Sequence, residues 1–301
     1  MSEIAVVGSL NLDTTVRVPR LPVPGETVLG TDHFDDTGGK GANQAVAAAR
    51  LGRSVAMVGM VGEDDVGRRL LASLAAEGVD VEGVAVDGAA RSGVAVITVD
   101  EHGENMIVVD PGANGTFGPS AFSTVSDTVA SADVVLLQLE IPIATVAAAA
   151  AAARGVVILN PAPAAELSPQ LLEQVDILVP NATELGHLTG GVVPASAEEA
   201  AVLARRLAGP EAIVVTLGGE GAVLVTGEAE VHVPAPDIDP VDPTAAGDAF
   251  CGGLADATVR GEALDDAVLW AVHCGAAAAT RWGAQASLPT RDDVMRLEAE
   301  E

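Results

Sequence analysis

The stretch VVLLQLEIPIATVAAAAAAARGVVILN, residues 134–160, sets the architecture of the chain. Val134 to Leu139 is a short, almost continuous apolar run, the pattern of a strand covered on both faces. Ala144 to Ala153 is dominated by the strongest helix former. Val156 to Leu159 is a second apolar run. Strand, helix and strand in one short stretch make a βαβ unit, whose two strands lie parallel and buried. The same alternation extends in both directions. Ile4–Leu10, Val55–Val61, Ile177–Val179 and Ala212–Thr216 read as strands. Ala42–Leu51, Gly67–Glu77, Ala197–Leu207, Gly247–Ala257 and Leu264–Ala279 read as helices, with a last helix from Asp292. Ala222–Thr226 and Glu230–Val233 read as a hairpin. The expected fold is α/β, with a mostly parallel sheet covered by helices on both faces.

Two regions break the alternation. Residues 14–36 mix Val and Thr with Pro19, Pro22, Pro24 and Gly25, and predict short strands and turns outside the main sheet. Val94–Val99 and Asn105–Val109 flank Asp100-Glu101-His102-Gly103, a hairpin signal. Together, about 14–36 and 94–110 are expected to form a small projecting lid. No linker or internal repeat divides the chain, so residues 1–301 read as one domain.

Composition narrows the function classes. Hydrophobic residues make up 49% of the 301 residues but aromatics only 2%, with no Tyr, so Ala, Val and Leu must fill the core. The formal charge is -28, from 43 acidic and 15 basic residues. Such a field repels nucleic-acid backbone and anionic membrane, and neither is expected as a partner. Cys251 and Cys274 lack metal or redox spacing and read as buried free thiols. The five histidines, His273 among them, form no HxxH or HExxH cluster, and Ser9 lacks a G-x-S-x-G context. These absences disfavour a zinc or serine hydrolase. Ser2 and Glu3 precede the first strand without a basic leader, and the Ala147–Ala153 run is too short to span a bilayer. A cytoplasmic location is expected.

Candidate sites follow strand ends. Asp242-Pro243-Thr244-Ala245-Ala246-Gly247-Asp248 leads into an apolar helical stretch. Small residues let backbone amides approach a ligand, and a helix N-terminus supplies unpaired N–H groups for an anion. Asp248 could there accept the proton of an attacking hydroxyl, although a capping Asp after a tight turn would read the same. Gly38-Gly39-Lys40-Gly41-Ala42-Asn43 also precedes a helix and carries the one lysine of the chain. It lacks the spacing of a Walker motif. Asn11 and Asp13 follow the first strand, where sugar hydroxyls or a plain polar turn could use them. Asn181 and Glu184 follow another strand, in a pattern that suits hydrated Mg²⁺ but is common in loops. Thr216-Leu217-Gly218-Gly219-Glu220-Gly221 could line a nucleotide by its amides or simply connect a hairpin.

These residues carry a family likeness. The chain resembles the PfkB-type carbohydrate and nucleoside kinases, and within them the ribokinase branch, from Ile4 to about Thr290. The motifs, in order, are GSLNLD at 8–13, PGETV at 24–28, GGKGANQA at 38–45, GENMIVVDPGAN at 103–114, QLE at 138–140, LNPAPA at 159–164, PNATE at 180–184, TLGGEG at 216–221, AAGD at 245–248 and GAQASLPT at 283–290. The resemblance implies a three-layer α/β/α fold with a β-sheet lid, lid-to-lid homodimers, and transfer of the ATP γ-phosphoryl group to O5 of ribose. Another acceptor (2-deoxyribose, fructose or an adenosine-like nucleoside) is the alternative within enzymes, and a non-catalytic sugar or nucleotide sensor the alternative outside them. It further implies that Asn11, Asp13, Gly39, Lys40, Asn43 and Glu140 face the sugar and that Asp248 is the base. Ala245, Ala246 and Gly247 would form the anion hole. Asn181 and residues 216–221 would face the nucleotide, and Glu184 would position hydrated Mg²⁺. A monovalent cation, K⁺, would be held by Asp242, Thr244, Ala278, Arg281, Gly283 and Ser287, mostly through carbonyls. Two positions depart from the family pattern: Pro243 replaces the usual Thr, and Val272 stands where a polar residue is usual, with His273 next to it.

Overall fold

Ile4 and Val6 pack into one apolar cluster while Ala5 and Val7 pack into another. Val134 and Leu136 divide from Val135 and Leu137 in the same way. A strand whose alternate residues enter two different cores must have helices on both sides. The structure, a computed structural model, describes residues 2–299. Its main sheet holds β1 (Ile4–Val7), β4 (Val55–Gly62), β5 (Asp80–Asp87), β8 (Val134–Leu137), β9 (Val156–Leu159), β10 (Ile177–Leu178), β11 (Ala212–Thr216), β12 (Ala222–Thr226) and β13 (Glu230–Val233). The order is β13-β12-β11-β10-β9-β8-β1-β4-β5. β5, β4, β1, β8, β9, β10 and β11 pair in parallel, and β12 and β13 return antiparallel as the expected hairpin.

One core faces helices Lys40–Arg50, Asp65–Ala76, Ala246–Val259 and Leu264–Ala279; the other faces helices Ile143–Ala152 and Ala197–Ala204. The result is the three-layer α/β/α architecture with a smaller second sheet. The helices of the first core pack closely because they carry small residues. A Cβ on Gly252 would lie 2.6 Å from the Ala47 Cβ, so the Ala246–Val259 and Lys40–Arg50 helices touch through a glycine.

The second sheet has β2 (Asn11–Arg17), β3 (Asp32–Gly38), β6 (Gly93–Val99) and β7 (Asn105–Asp110), in the order β3-β2-β6-β7. β6 and β7 form the hairpin read from the sequence, with Asp100 accepting from the amides of His102 and Glu104. β7 is exposed throughout and presents Met106, Ile107, Val108 and Val109 to solvent.

Several elements differ from expectation. The first lid strand begins at Asn11, not at about 14, so Asn11 and Asp13 lie on it; the chain pairs with β3 and β6 from Asn11 onward. The first long helix begins at Lys40, not at Ala42. Residues 80–87 form an edge strand whose acids and glycine hide the pattern; Gly83 is needed because a Cβ would meet the Met57 carbonyl oxygen at 2.7 Å. Residues 182–188 form a short helix where a loop was expected. Cys251 and Cys274 are buried free thiols, as expected. Among the described residues, no helix is long and apolar enough to cross a membrane.

Candidate active site

The main sheet reverses its winding between β1 and β8, since the chain runs from β1 to β4 on one side and later from β8 to β9 on the other. Open α/β sheets bind ligands in the crevice at the carboxyl end of such a switch. Ser9 leaves β1 there and Glu140 leaves β8. The Ser9 hydroxyl donates to Glu140 Oε2 at 2.5 Å, and the Lys40 amide donates to the same oxygen at 3.0 Å.

The glycine loop is pressed against this point. Gly39 has φ 90°, in the left-handed region, and a Cβ would sit 2.8 Å from the Asn11 amide nitrogen. A Cβ on Gly41 would sit 2.6 Å from the Ser9 nitrogen. All the leading amides of the helix are consumed within the protein: Lys40 by Glu140, Gly41 by the Ser9 hydroxyl, Ala42 by the Ser9 carbonyl and Asn43 by the Gly39 carbonyl. This helix end therefore offers its Lys40 side chain to a ligand, and no free amides.

The Ala246–Val259 helix is different. Ala245 adopts φ 61°, rare for a residue with a Cβ, and turns the chain sharply into the helix. The Ala246 amide donates to the Pro243 carbonyl, and the first bond inside the helix is that of Ala249 to Ala245. Among the described residues nothing accepts from the amides of Gly247 and Asp248. A Cβ on Gly247 would meet nothing within 4 Å, so the helix is open on the side where a Gly247 side chain would stand. Pro243 lies upstream of both, so its missing N–H subtracts nothing from this pair.

Asp248 itself is buried, at 7% exposure. Its Oδ2 accepts from Asn43 Nδ2 at 2.9 Å and its Oδ1 from Gln44 Nε2 at 3.1 Å. The close helix contact at Gly252 puts those two amides within reach. Gln44 is in turn held by Gln138, whose Nε2 donates to Gln44 Oε1 at 2.6 Å. Both Asp248 oxygens are thus aimed by a rigid second layer.

Burial pushes Asp248 above the ordinary carboxylate range, against the pull of Lys40, Asn43 and Gln44. Burial also raises Asp13, helped by Glu140, Asp36 and Asp248, to about 7. Burial raises Glu184 as well, opposed by the Asn181 amide and Lys40. Burial alone would pull the Lys40 ammonium down, but Asp248, Glu140 and Glu184 outweigh it and hold it above its usual value. Among the described residues, Lys40 is the cation whose charge bears on Asp13, Glu184 and Asp248. The lone lysine of the chain therefore sits where carboxylates converge.

Next to this cluster lies a groove of about 230 Å³ lined by Asn181, Thr183, Ser196, Thr216, Leu217 and Gly218, among others. Asn181 caps the short helix: its Oδ1 accepts from the Glu184 amide while Glu184 Oε2 accepts from the Asn181 amide. Residues 217–221 connect β11 to β12, and Thr216, Leu217, Gly218 and Glu220 form one wall of this groove. Gly221 turns away from it, closed by the Val233 carbonyl.

The residues expected around a monovalent cation are brought together by hydrogen bonds. Asp242 accepts from the Thr244 amide at 2.9 Å and from the Gly283 amide at 3.0 Å. The Ser287 hydroxyl reaches the Thr244 carbonyl at 3.5 Å, and the Asp242 amide donates to the Ala279 carbonyl. The Arg281 amide donates to the Ala278 carbonyl. This is a set of oxygens, mostly carbonyl, with one carboxylate, which suits a hard, weakly charged ion.

Known proteins can be set beside this geometry. The pfkB family carbohydrate kinase model matches residues 1–291. The chain belongs to the PfkB family of carbohydrate kinases. The family chain is 38% identical to a ribokinase of Haemophilus influenzae, over 98% of this chain and 97% of that one. It is 36% identical to a deoxyribokinase of Salmonella typhi, over 96% of each. Its fold superposes on an Arabidopsis thaliana ribokinase solved with ribose and ATP, with TM-score 0.90, 32% identity and 98% of each chain covered. As a PfkB kinase, the protein is an enzyme of sugar phosphorylation.

Within this PfkB fold, Asn11, Asp13, Lys40, Asn43, Glu140 and Asp248 converge at the switch point, while Asn181 and Thr216–Glu220 gather at the groove. Sequence reading passed over Gln44 and Asn114. Gln44 stands inside the quoted GGKGANQA motif, and the contact with Asp248 was its only missing clue. Asn114 is buried; its Nδ2 donates to Asn11 Oδ1 at 2.8 Å and its Oδ1 accepts from the Leu10 amide at 3.0 Å, fixing how Asn11 is presented. His273 is buried on the Leu264–Ala279 helix, with Nδ1 2.9 Å from the Leu269 carbonyl.

Proposed function

We propose that the protein transfers the γ-phosphoryl group of ATP to O5 of D-ribose, giving ribose 5-phosphate and ADP. The observation that carries this reading is the pair of unpaired amides at Gly247 and Asp248 beside a buried, twice-anchored carboxylate. A sensor would not need a base held so firmly against an anion cradle.

In this reading Asn11 and Asp13 accept from sugar hydroxyls on the lid side, and Lys40 and Glu140 complete the polar wall. ATP lies along the groove at Asn181 and Thr216–Glu220, with its γ-phosphate before the Gly247 and Asp248 amides. Asp248 takes the proton of O5 as that oxygen attacks phosphorus and the bond to the ADP oxygen breaks. The amides and Lys40 stabilise the charge on the equatorial oxygens. Glu184 would hold hydrated Mg²⁺ through water, and the ion would supply further charge neutralisation at the phosphates; one buried carboxylate rather than a cage suits that ion. K⁺ at Asp242, Thr244, Ala278, Arg281, Gly283 and Ser287 fits the oxygen-rich set described above. The lid β2-β3-β6-β7 shields the reaction from water.

The exposed apolar strip of β7 favours pairing of two copies through their lids, since an unpaired apolar edge invites a partner. A sedimentation mass of one chain at micromolar concentration would contradict that pairing.

2-Deoxyribose is the second reading, favoured by the 36% identity to a deoxyribokinase. ADP release measured with ribose, 2-deoxyribose, fructose and adenosine tests both. Ribose is expected to give the highest kcat/KM; a higher value for any other acceptor would replace it.

A pH dependence follows from Asp13. Ionised, it accepts from sugar hydroxyls through both oxygens at full charge, and in the free enzyme burial raises its ionisation to about 7. Ribose kcat/KM is therefore expected to rise with pH through about 7 and to level off above it. Asp13→Asn should shift that limb away from neutrality. An unchanged profile in the variant would remove Asp13 from the sugar site.

A further inference from the structure

The segment Trp282–Leu288 touches both halves of the site. On the phosphate side, the Gly283 amide donates to Asp242 and the Ser287 hydroxyl to the Thr244 carbonyl, just upstream of the free amides. On the sugar side, Gln285 Oε1 accepts from the Thr37 hydroxyl at 2.7 Å. Thr37 is on β3, three residues before Lys40. Both partners of this bond are buried, Thr37 at 8% and Gln285 at 5% exposure. Among the described residues Gln285 Nε2 is buried with no partner, so the bond to Thr37 is the one hydrogen bond its side chain makes there. A second tie lies at the surface: the Arg17 guanidinium of β2 stands 5.8 Å from the Trp282 ring and 5.9 Å from the Phe34 ring. The segment is stiff between these ends, because Arg50 Nη1 donates to the Gln285 and Leu288 carbonyls, each at 2.7 Å.

We infer that Gln285 is a positioning residue: through Thr37 it ties the sugar-side glycine loop to the segment that braces the phosphate-side loop, so that sugar and nucleotide bind cooperatively. The inference rests on the kinase reading above. Its physical content is a buried bond that must be kept or broken when β3 moves against the Asp242–Asp248 loop. Whatever coupling the bond carries is reciprocal: each ligand changes the other's affinity by the same factor. Gln285 touches neither ligand in this account; it acts through its neighbours.

Calorimetry of D-ribose binding, with and without the β,γ-imido analogue of ATP and Mg²⁺, reads the coupling directly. If 2-deoxyribose turns over faster, it replaces ribose as the probe. In the parent protein the analogue is expected to tighten sugar binding by about 5-fold or more. In Gln285→Leu that ratio should fall towards about 1. Leucine has similar bulk and also removes the unpaired Nε2, so the melting temperature should hold. Thr37→Val deletes the same bond from the other side and should give the same ratio; it also serves if Gln285→Leu does not fold. A parent ratio of about 1, or a parent-like ratio in the folded variants, overturns the inference. If the parent still releases ADP in response to sugar in that case, the kinase reading stands alone. If no sugar supports ADP release, that reading has failed first.

Discussion

Asp248→Asn is expected to lower kcat by on the order of 10²–10⁴-fold while ribose affinity stays within a few-fold of the parent. The amide keeps the shape of the side chain but cannot accept a proton as O5 attacks. It can still accept from Asn43 or Gln44, though not from both oxygens as the carboxylate does. The variant should fold, because the change removes a charge whose burial is unfavourable. Turnover from ADP release and affinity from calorimetry separate the two effects. A kcat near that of the parent would show that another group takes the proton.

Asp256→Ala is expected to cost about 3 kcal/mol of stability, read as a lower urea midpoint. Asp256 lies two turns beyond Asp248 on the same helix and is fully buried. Its carboxylate meets Arg291 at 2.6 Å, Arg53 at 3.0 Å and Arg260 at 3.2 Å. Arg260 and Arg291 also stack on the Trp270 ring, at 4.9 and 5.3 Å. Removing the anion leaves three guanidinium groups facing one another. Each is about a fifth to a third exposed, so water can reach them, and the loss stays near the low end for a broken buried pair. In the cold, where the variant remains folded, kcat should change little. An unchanged urea midpoint would mean that the cluster adds nothing to the fold.

The two cases differ in how legible they were. Asp248 was visible because small residues before a helix announce a close backbone approach, and because ordered motifs surround it. Of the Asp256 cluster only the i,i+4 pair with Arg260 has a readable spacing; Arg53 and Arg291 come from distant segments, so the convergence was invisible. The parallel sheet was legible from runs such as 134–139, where burial on both faces suppresses any polar alternation. β5 was not, because an exposed edge strand carries acids and a buried glycine that mimic a loop. Asn11 and Asp13 were read at the carboxyl end of the first strand, with the lid beginning at about 14; only pairing with β3 and β6 reveals them as residues of a lid strand. Gln44 and Asn114 orient other polar groups from buried positions, and such a role leaves no pattern along the chain. Likewise, the glycine loop and the Asp248 loop look alike as letters. What separates them is that one spends its amides on Ser9, Glu140 and Gly39 while the other leaves two free.

The most direct test is a structure of the protein with D-ribose and a non-hydrolysable ATP analogue. An Asp248 oxygen is expected at hydrogen-bond distance, roughly 2.6–3.2 Å, from the sugar O5. Terminal phosphate oxygens are expected on the Gly247 and Asp248 amides. A ternary complex with O5 beside another base, or with the terminal phosphate away from those amides, would contradict this mechanism.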